Sequence, residues 1–126
     1  MQTAGQDSHR RQRIGRQGED LAVEMLTGLG WRIIDRNWRC PIGEVDVIAE
    51  DLDATVVFCE VKTRTGLGFG DPLESITWRK QRTLRQLAAH WVAGHARPSG
   101  AGRIRVDAIG IVLGGPEPLI SHVRGI

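Results

Sequence analysis

The chain has only two cysteines, two lysines and no apolar run long enough to cross a bilayer, and each shortage excludes something. Cys40 and Cys59 form no CxxC and cannot build a disulfide scaffold; two thiols suit a reducing cytoplasm, with a single bridge left open. His9, His90, His95 and His122 show no HExxH or other zinc spacing, which disfavours zinc. Residues Met1 to Arg16 are polar and Arg-rich with no apolar stretch behind them, so they read as neither signal peptide nor membrane anchor.

What is there suits one globular domain: 126 residues, 40% hydrophobic and 25% charged. The formal charge of +2 is too small to argue for a nucleic acid or membrane partner, but its distribution is uneven. Arg10, Arg11, Arg13 and Arg16 against Asp7 give the first 16 residues a local +3, leaving the remaining 110 at −1. Residues 1–12 lack apolar periodicity and read as a flexible Arg-rich arm ahead of a single domain over 13–126. Fifteen of the seventeen basic residues are Arg, so the two lysines, Lys62 and Lys80, call for a reason.

From Ile14 to Leu29 the spacing turns helical, with Ile14, Gly18, Leu21, Ala22, Met25, Leu26 and Leu29 on one arc and Glu19 at its edge, facing the protein body. Trp31 to Asn37 reads as a strand and Cys40-Pro41-Ile42-Gly43 as a turn. Glu44 to Glu50 alternates Glu44, Asp46 and Ile48 with Val45, Val47 and Ala49. Asp51 to Ala54 turns the chain, and the β-branched run Thr55 to Lys62 returns antiparallel. A Gly-rich stretch to Asp71 leads to Pro72, which opens a helix predicted to reach about Val92, with Leu73, Ile76, Leu84, Leu87 and Trp91 as its stripe. Lys80 falls inside that stripe and faces inward. A loop over Ala93 to Gly102, a strand over Arg103 to Leu113, a Gly114-Gly115-Pro116 turn and a short strand over Leu119 to Val123 complete a mixed α/β layer fold.

Glu60 and Lys62 share one strand face because side chains two apart point the same way. A symmetric hairpin about Leu52 and Asp53 sets Glu60 opposite Asp46 within one residue, with Cβ atoms about 4.5–5.5 Å apart. Opposed carboxylates repel, so something cationic belongs between them. Lys62 alone would make a structural ion-pair cluster; a hard divalent cation would take oxygens from Asp46 and Glu60, with Glu19 nearby, leaving Lys62 to position an attacking water.

The ordered segments Gly15 to Ala22, Arg36 to Cys40, Gly43 to Ala49 and Phe58 to Arg64 resemble the YraN-like family of bacterial proteins. That family is similar to the restriction-endonuclease-like PD-(D/E)XK nucleases and to archaeal Holliday junction resolvases. The resemblance covers about Gly15 to Val112 and implies an αβββαβ core, a mixed central sheet flanked by helices. It implies Mg²⁺- or Mn²⁺-dependent endonuclease chemistry on DNA, with branched DNA a candidate substrate. Asp46, Glu60 and Lys62 match the catalytic positions, Glu19 the helix acid and Lys80 a basic position, while Val45 stands where many members have proline. Resolvases act as dimers, so a homodimer is an open expectation, although no dimer surface is legible.

Weaker signals have bland readings beside the sharp ones. Gly66-x-Gly68-x-Gly70 is no phosphate-binding loop. Arg64 can meet a phosphate or simply water. Arg79, Arg82 and Arg85 can follow a phosphate backbone or form an ordinary basic helix face. Trp38 and Trp78 suit packing better than base stacking, and Asp107 reads as a partner of Arg103 or Arg105. A non-catalytic nucleic-acid-binding module on the same fold, and a salt-bridged structural domain, remain the competing readings.

Overall fold

The computed structural model describes residues 4–66, 70–95 and 102–126. The elements run α1 (Ala4–Gly28), β1 (Arg32–Cys40), β2 (Gly43–Glu50), β3 (Val56–Arg64), a 3₁₀ turn (Pro72–Ser75), α2 (Trp78–Gly94), β4 (Ile104–Val112) and β5 (Leu119–Val123). The five strands lie in chain order in one sheet, antiparallel except for the parallel pair β3–β4 that α2 connects. A parallel pair needs such a crossover, whereas β1–β2 closes through two residues, Pro41 and Ile42. The architecture is α/β, with a mixed sheet flanked by two helices, and matches an αβββαβ core with β5 added at its edge.

One helix covers each sheet face. Ala22 and Leu26 of α1 pack on Val47, Ala49, Val57, Cys59, Ile109 and Ile111. On the other face Leu84, Leu87, Ala88 and Trp91 of α2 pack on Val45, Ile48, Val56, Phe58 and Val106. Strand β3 alternates strictly between these cores, which puts Glu60 and Lys62 on the α2 side.

Three elements depart from the expected ones. α1 begins at Ala4, so the helix expected from Ile14 starts ten residues earlier, within the Arg-rich arm. Residues 7–13 are exposed on every side, so this part of the helix has no apolar face for a periodicity reading to detect. The second helix breaks in two: the Asp71 carboxylate accepts Leu73 N–H at 2.9 Å to cap the 3₁₀ turn, and Thr77 Oγ1 accepts Lys80 N–H to cap a new helix. Third, β2 does not alternate throughout, because Val45 joins Ile48 on the α2 side while Val47 and Ala49 face α1. The glycine-rich segment at 67–69 and the loop containing Arg97-Pro98-Ser99-Gly100 lie outside the described residues.

Cys40 and Cys59 are free thiols in opposite cores, which closes the disulfide question for this fold. No helix among the described residues is long and apolar enough to cross a membrane.

Candidate functional site

The face switch in β2 falls at Asp46. Between the pairs Arg36–Val47 and Trp38–Val45 lie Asn37 and Asp46, and Asn37 takes the left-handed conformation, φ +53°. On its other side β2 follows β3 only as far as Val47–Cys59. Beyond that pair Asp46 Oδ2 accepts the Val61 N–H at 2.8 Å. The carboxylate thus does a ladder carbonyl's work where the two strands part. The observed pairs fit the symmetric hairpin expected from the sequence, so Asp46 and Glu60 come together as neighbours.

Glu60 is 4% exposed. Its Oε1 meets two ammonium groups, Lys62 Nζ at 3.4 Å and Lys80 Nζ at 3.5 Å. Lys62 comes from two residues along the same strand face. Lys80 comes from the first turn of α2, in the inward direction its wheel position indicates. Both lysines of the chain therefore serve one carboxylate.

Glu19 reaches the site from α1. Gly18 allows this approach: a Cβ built there would collide with the Thr63 side chain on β3, so any larger residue makes Thr63 or the helix shift. Arg36 then ties the helix to β1, bonding Asp20 at 2.7 Å and lying 3.9 Å from Glu19. Burial pushes the Glu19 carboxyl above its usual value, against the Asn37 side-chain hydrogen bond and the Arg36 charge. Asn37 thus shapes β1 and binds the helix acid. Asn37, the expected end of this strand, lies inside β1, which runs on to Cys40; asparagine tolerates the left-handed conformation, and its spacing assigns it no role.

Asp46 is pushed up to about 7, first by burial and then by Glu60, with Glu19 and Glu44 adding repulsion and the Val61 N–H opposing them. The folded state therefore holds a proton that the unfolded chain releases near the ordinary aspartate value of 3.8. Stability from this group is fully present below that value and is lost as pH rises through about 7. Asp46→Asn mimics the protonated form. It is expected to raise the melting temperature above pH 7 by several degrees, on the order of 2 kcal/mol, with the gain fading toward pH 4. Melting curves of both proteins across that range check this, and a gain independent of pH would contradict it.

The remaining candidates separate. Arg79, Arg82 and Arg85 are exposed on α2, away from the buried side that carries Lys80. Arg82 lies 5.7 Å over the Trp78 ring, and Arg85 donates to the Ile126 carbonyl at 3.0 Å. Trp38 packs into the α2 core, whereas Trp78 is 66% exposed. Arg64 lines a cleft beside α1. Asp107 is bound by Arg105, as its strand position suggests, and stands apart from the site.

Among the described residues no three His, Cys, Asp or Glu side chains converge to hold an ion by themselves. The donor set is two neighbouring carboxylates, which suits a cation such as Mg²⁺ that completes its shell with water and substrate oxygens.

Fold and site together define an α/β protein with a buried carboxylate pair and two lysines at the open end of a β-hairpin. The model described as uncharacterised protein family UPF0102 matches residues 18–111. A UPF0102 protein of Rhodococcus jostii (strain RHA1) is 51% identical over 114 residues, covering 88% of this chain and 92% of the relative. One from Mycobacterium avium (strain 104) is 50% identical over 115 residues, covering 90% and 88%, and one from Mycobacterium tuberculosis (strain ATCC 25177 / H37Ra) is 48% identical over 121, covering 92% and 93%. The chain belongs to the UPF0102 family, the YraN-like proteins.

Proposed function

We propose that this protein is a divalent-metal-dependent endonuclease that hydrolyses phosphodiester bonds in DNA. The observation that carries the reading is the charge imbalance at Asp46. Three carboxylates act on it, the two nearby lysines are engaged by Glu60, and its proton affinity rises to about 7. A purely structural ion-pair cluster would place a cation against both acids.

Asp46 and Glu60 would hold Mg²⁺ or Mn²⁺, with Glu19 as the third acid on the helix side. The ion supplies water acidification and positive charge against phosphate oxygens. Lys62 would position the attacking water and offset charge developing on the phosphate, and Lys80 holds Glu60 from α2. Two engaged ammonium groups hold the Glu60 carboxylate in place. The similarity of the ordered acid, Gly-Glu-Val-Asp and Glu-Val-Lys segments to restriction-endonuclease-like enzymes supports the same chemistry.

The test is cleavage of labelled duplex, single-stranded and four-way-junction DNA by the purified protein. Cutting is expected with Mg²⁺ or Mn²⁺ and none in EDTA. Salt-dependent binding without turnover on any of the three would leave a nucleic-acid-binding module instead.

A further inference from the structure

The first turns of α1 gain no packing that would hold them helical. Residues 7–13 bury nothing, yet the helix continues back to Ala4. Its purpose is legible in what it stands beside. Between this extension and the end of β3 lies a cleft of about 570 Å³, lined among others by Arg10, Arg11, Gly15, Glu19, Lys62 and Arg64. Four basic residues and one acidic residue line it.

Several arginines elsewhere in the chain are engaged by acceptors. Arg32, Arg36, Arg39 and Arg105 each pair with a carboxylate, and Arg85 binds the Ile126 carbonyl. Among the described residues Arg10, Arg11 and Arg64 have no such partner. The cleft floor is also open, since a Cβ built on Gly15 meets nothing within 4 Å. An unpaired basic cleft that runs to Glu19 and Lys62 suits an extended polyanion passing the carboxylate site.

We infer that this cleft holds the phosphate backbone of a DNA strand, with Arg10, Arg11 and Arg64 as its contacts. The inference rests on the proposed nuclease reading for the identity of the strand, and it gives the helical extension a role. It also separates two basic surfaces: the α1 cleft adjoins the site, while Arg79, Arg82 and Arg85 lie on the outward side of α2.

The experiment is fluorescence anisotropy with a labelled DNA oligonucleotide, single-stranded and as duplex, in EDTA at several salt concentrations. Arg10→Ala/Arg11→Ala is expected to weaken binding about tenfold and to flatten the log–log salt slope by roughly 1.5, since each lost phosphate contact removes about 0.7–0.9. Arg13→Ala/Arg16→Ala removes the same charge from the same helix outside the cleft and is expected to leave the slope nearly unchanged. Gly15→Leu fills the cleft without altering charge and is expected to weaken binding as well. Alanine favours helix and none of these positions is in the core, so each variant keeps the fold, checked by circular dichroism. Equal losses from both arginine pairs, or none from Gly15→Leu, would overturn the inference, as would tighter binding of RNA of the same sequence. Cleavage in Mg²⁺ separates the two claims. A cutting wild type whose Arg10/Arg11 variant binds normally leaves the nuclease reading and removes the cleft; cleft-dependent binding without cutting does the reverse. A wild type that neither binds nor cuts removes both.

Discussion

Lys62→Ala is expected to lower metal-dependent DNA cutting by about 10²–10³-fold, the range found when one preorganised electrostatic donor is removed from an active site. Glu60→Gln and Asp46→Asn are expected to lose more, because each removes a charge that would hold the cation. The three variants act on one unit, so a double variant should cut little worse than its weaker parent. Lys80→Ala discriminates between roles. Its ammonium lies 3.5 Å from Glu60 Oε1 on the side opposite α1, so a loss smaller than that of Lys62→Ala marks it as positioning Glu60. Single-turnover cleavage across Mg²⁺ concentrations provides the readout: a lost ligand shifts the metal dependence, whereas lost water positioning lowers the rate at saturating metal. Unaltered cutting in Lys62→Ala, Glu60→Gln and Asp46→Asn alike would sink the assignment.

Asp107→Ala should cost about 3–5 kcal/mol of stability, the usual cost of breaking a buried ion pair by removing one partner. The carboxylate is fully buried. Arg105 donates to it at 2.8 and 3.1 Å, His122 Nε2 sits 2.8 Å away, and the Gly125 N–H donates at 3.1 Å. Burial opposes its ionisation, but these hydrogen bonds outweigh burial and hold its carboxyl below the usual range. Removal strands Arg105, whose remaining carboxylate partner is Asp51 at 3.0 Å, and releases His122 of the edge strand β5. The melting temperature at pH 7 should fall by on the order of 10 °C. The difference should narrow on acidification, because a lowered carboxyl gives stability that is lost as pH falls. A loss of only a degree or two would show that β5 and the C-terminus are held by packing instead.

This cluster is independent of the candidate site, and the contrast explains how each was readable. A hairpin is local. Asp51 accepts the Asp53 and Thr55 N–H groups with one oxygen, turn chemistry visible in four consecutive residues, and the register it sets brings Asp46 to Glu60. The inward position of Lys80 follows from helical geometry alone, and the pairing of Arg105 with Asp107 from strand period. By contrast, the contacts of His122 and Gly125 with Asp107 join residues 15 and 18 apart and depend on where β5 docks.

The break before α2 shows the opposite failure. Apolar spacing from Leu73 to Trp91 is continuous enough to read as one helix, yet Asp71 and Thr77 each cap a separate one. Capping oxygens compete with helix continuation, and a periodicity count does not register them. The extension of α1 escaped the same count because a helix that buries nothing has no period.

By itself the sequence determined the order of elements, the hairpin register, the shared face of Glu60 and Lys62 and the inward aspect of Glu19 and Lys80, because turn chemistry and residue period act over a few neighbouring positions. Only the tertiary structure decided that β2 switches face at Asp46, that both lysines meet at Glu60, and that an arginine-bearing helix flanks the cleft. Those outcomes depend on how separate elements approach: Asn37 bending β1 opposite Asp46, Gly18 seating α1 on Thr63, and a gap between β2 and β3 that one carboxylate fills.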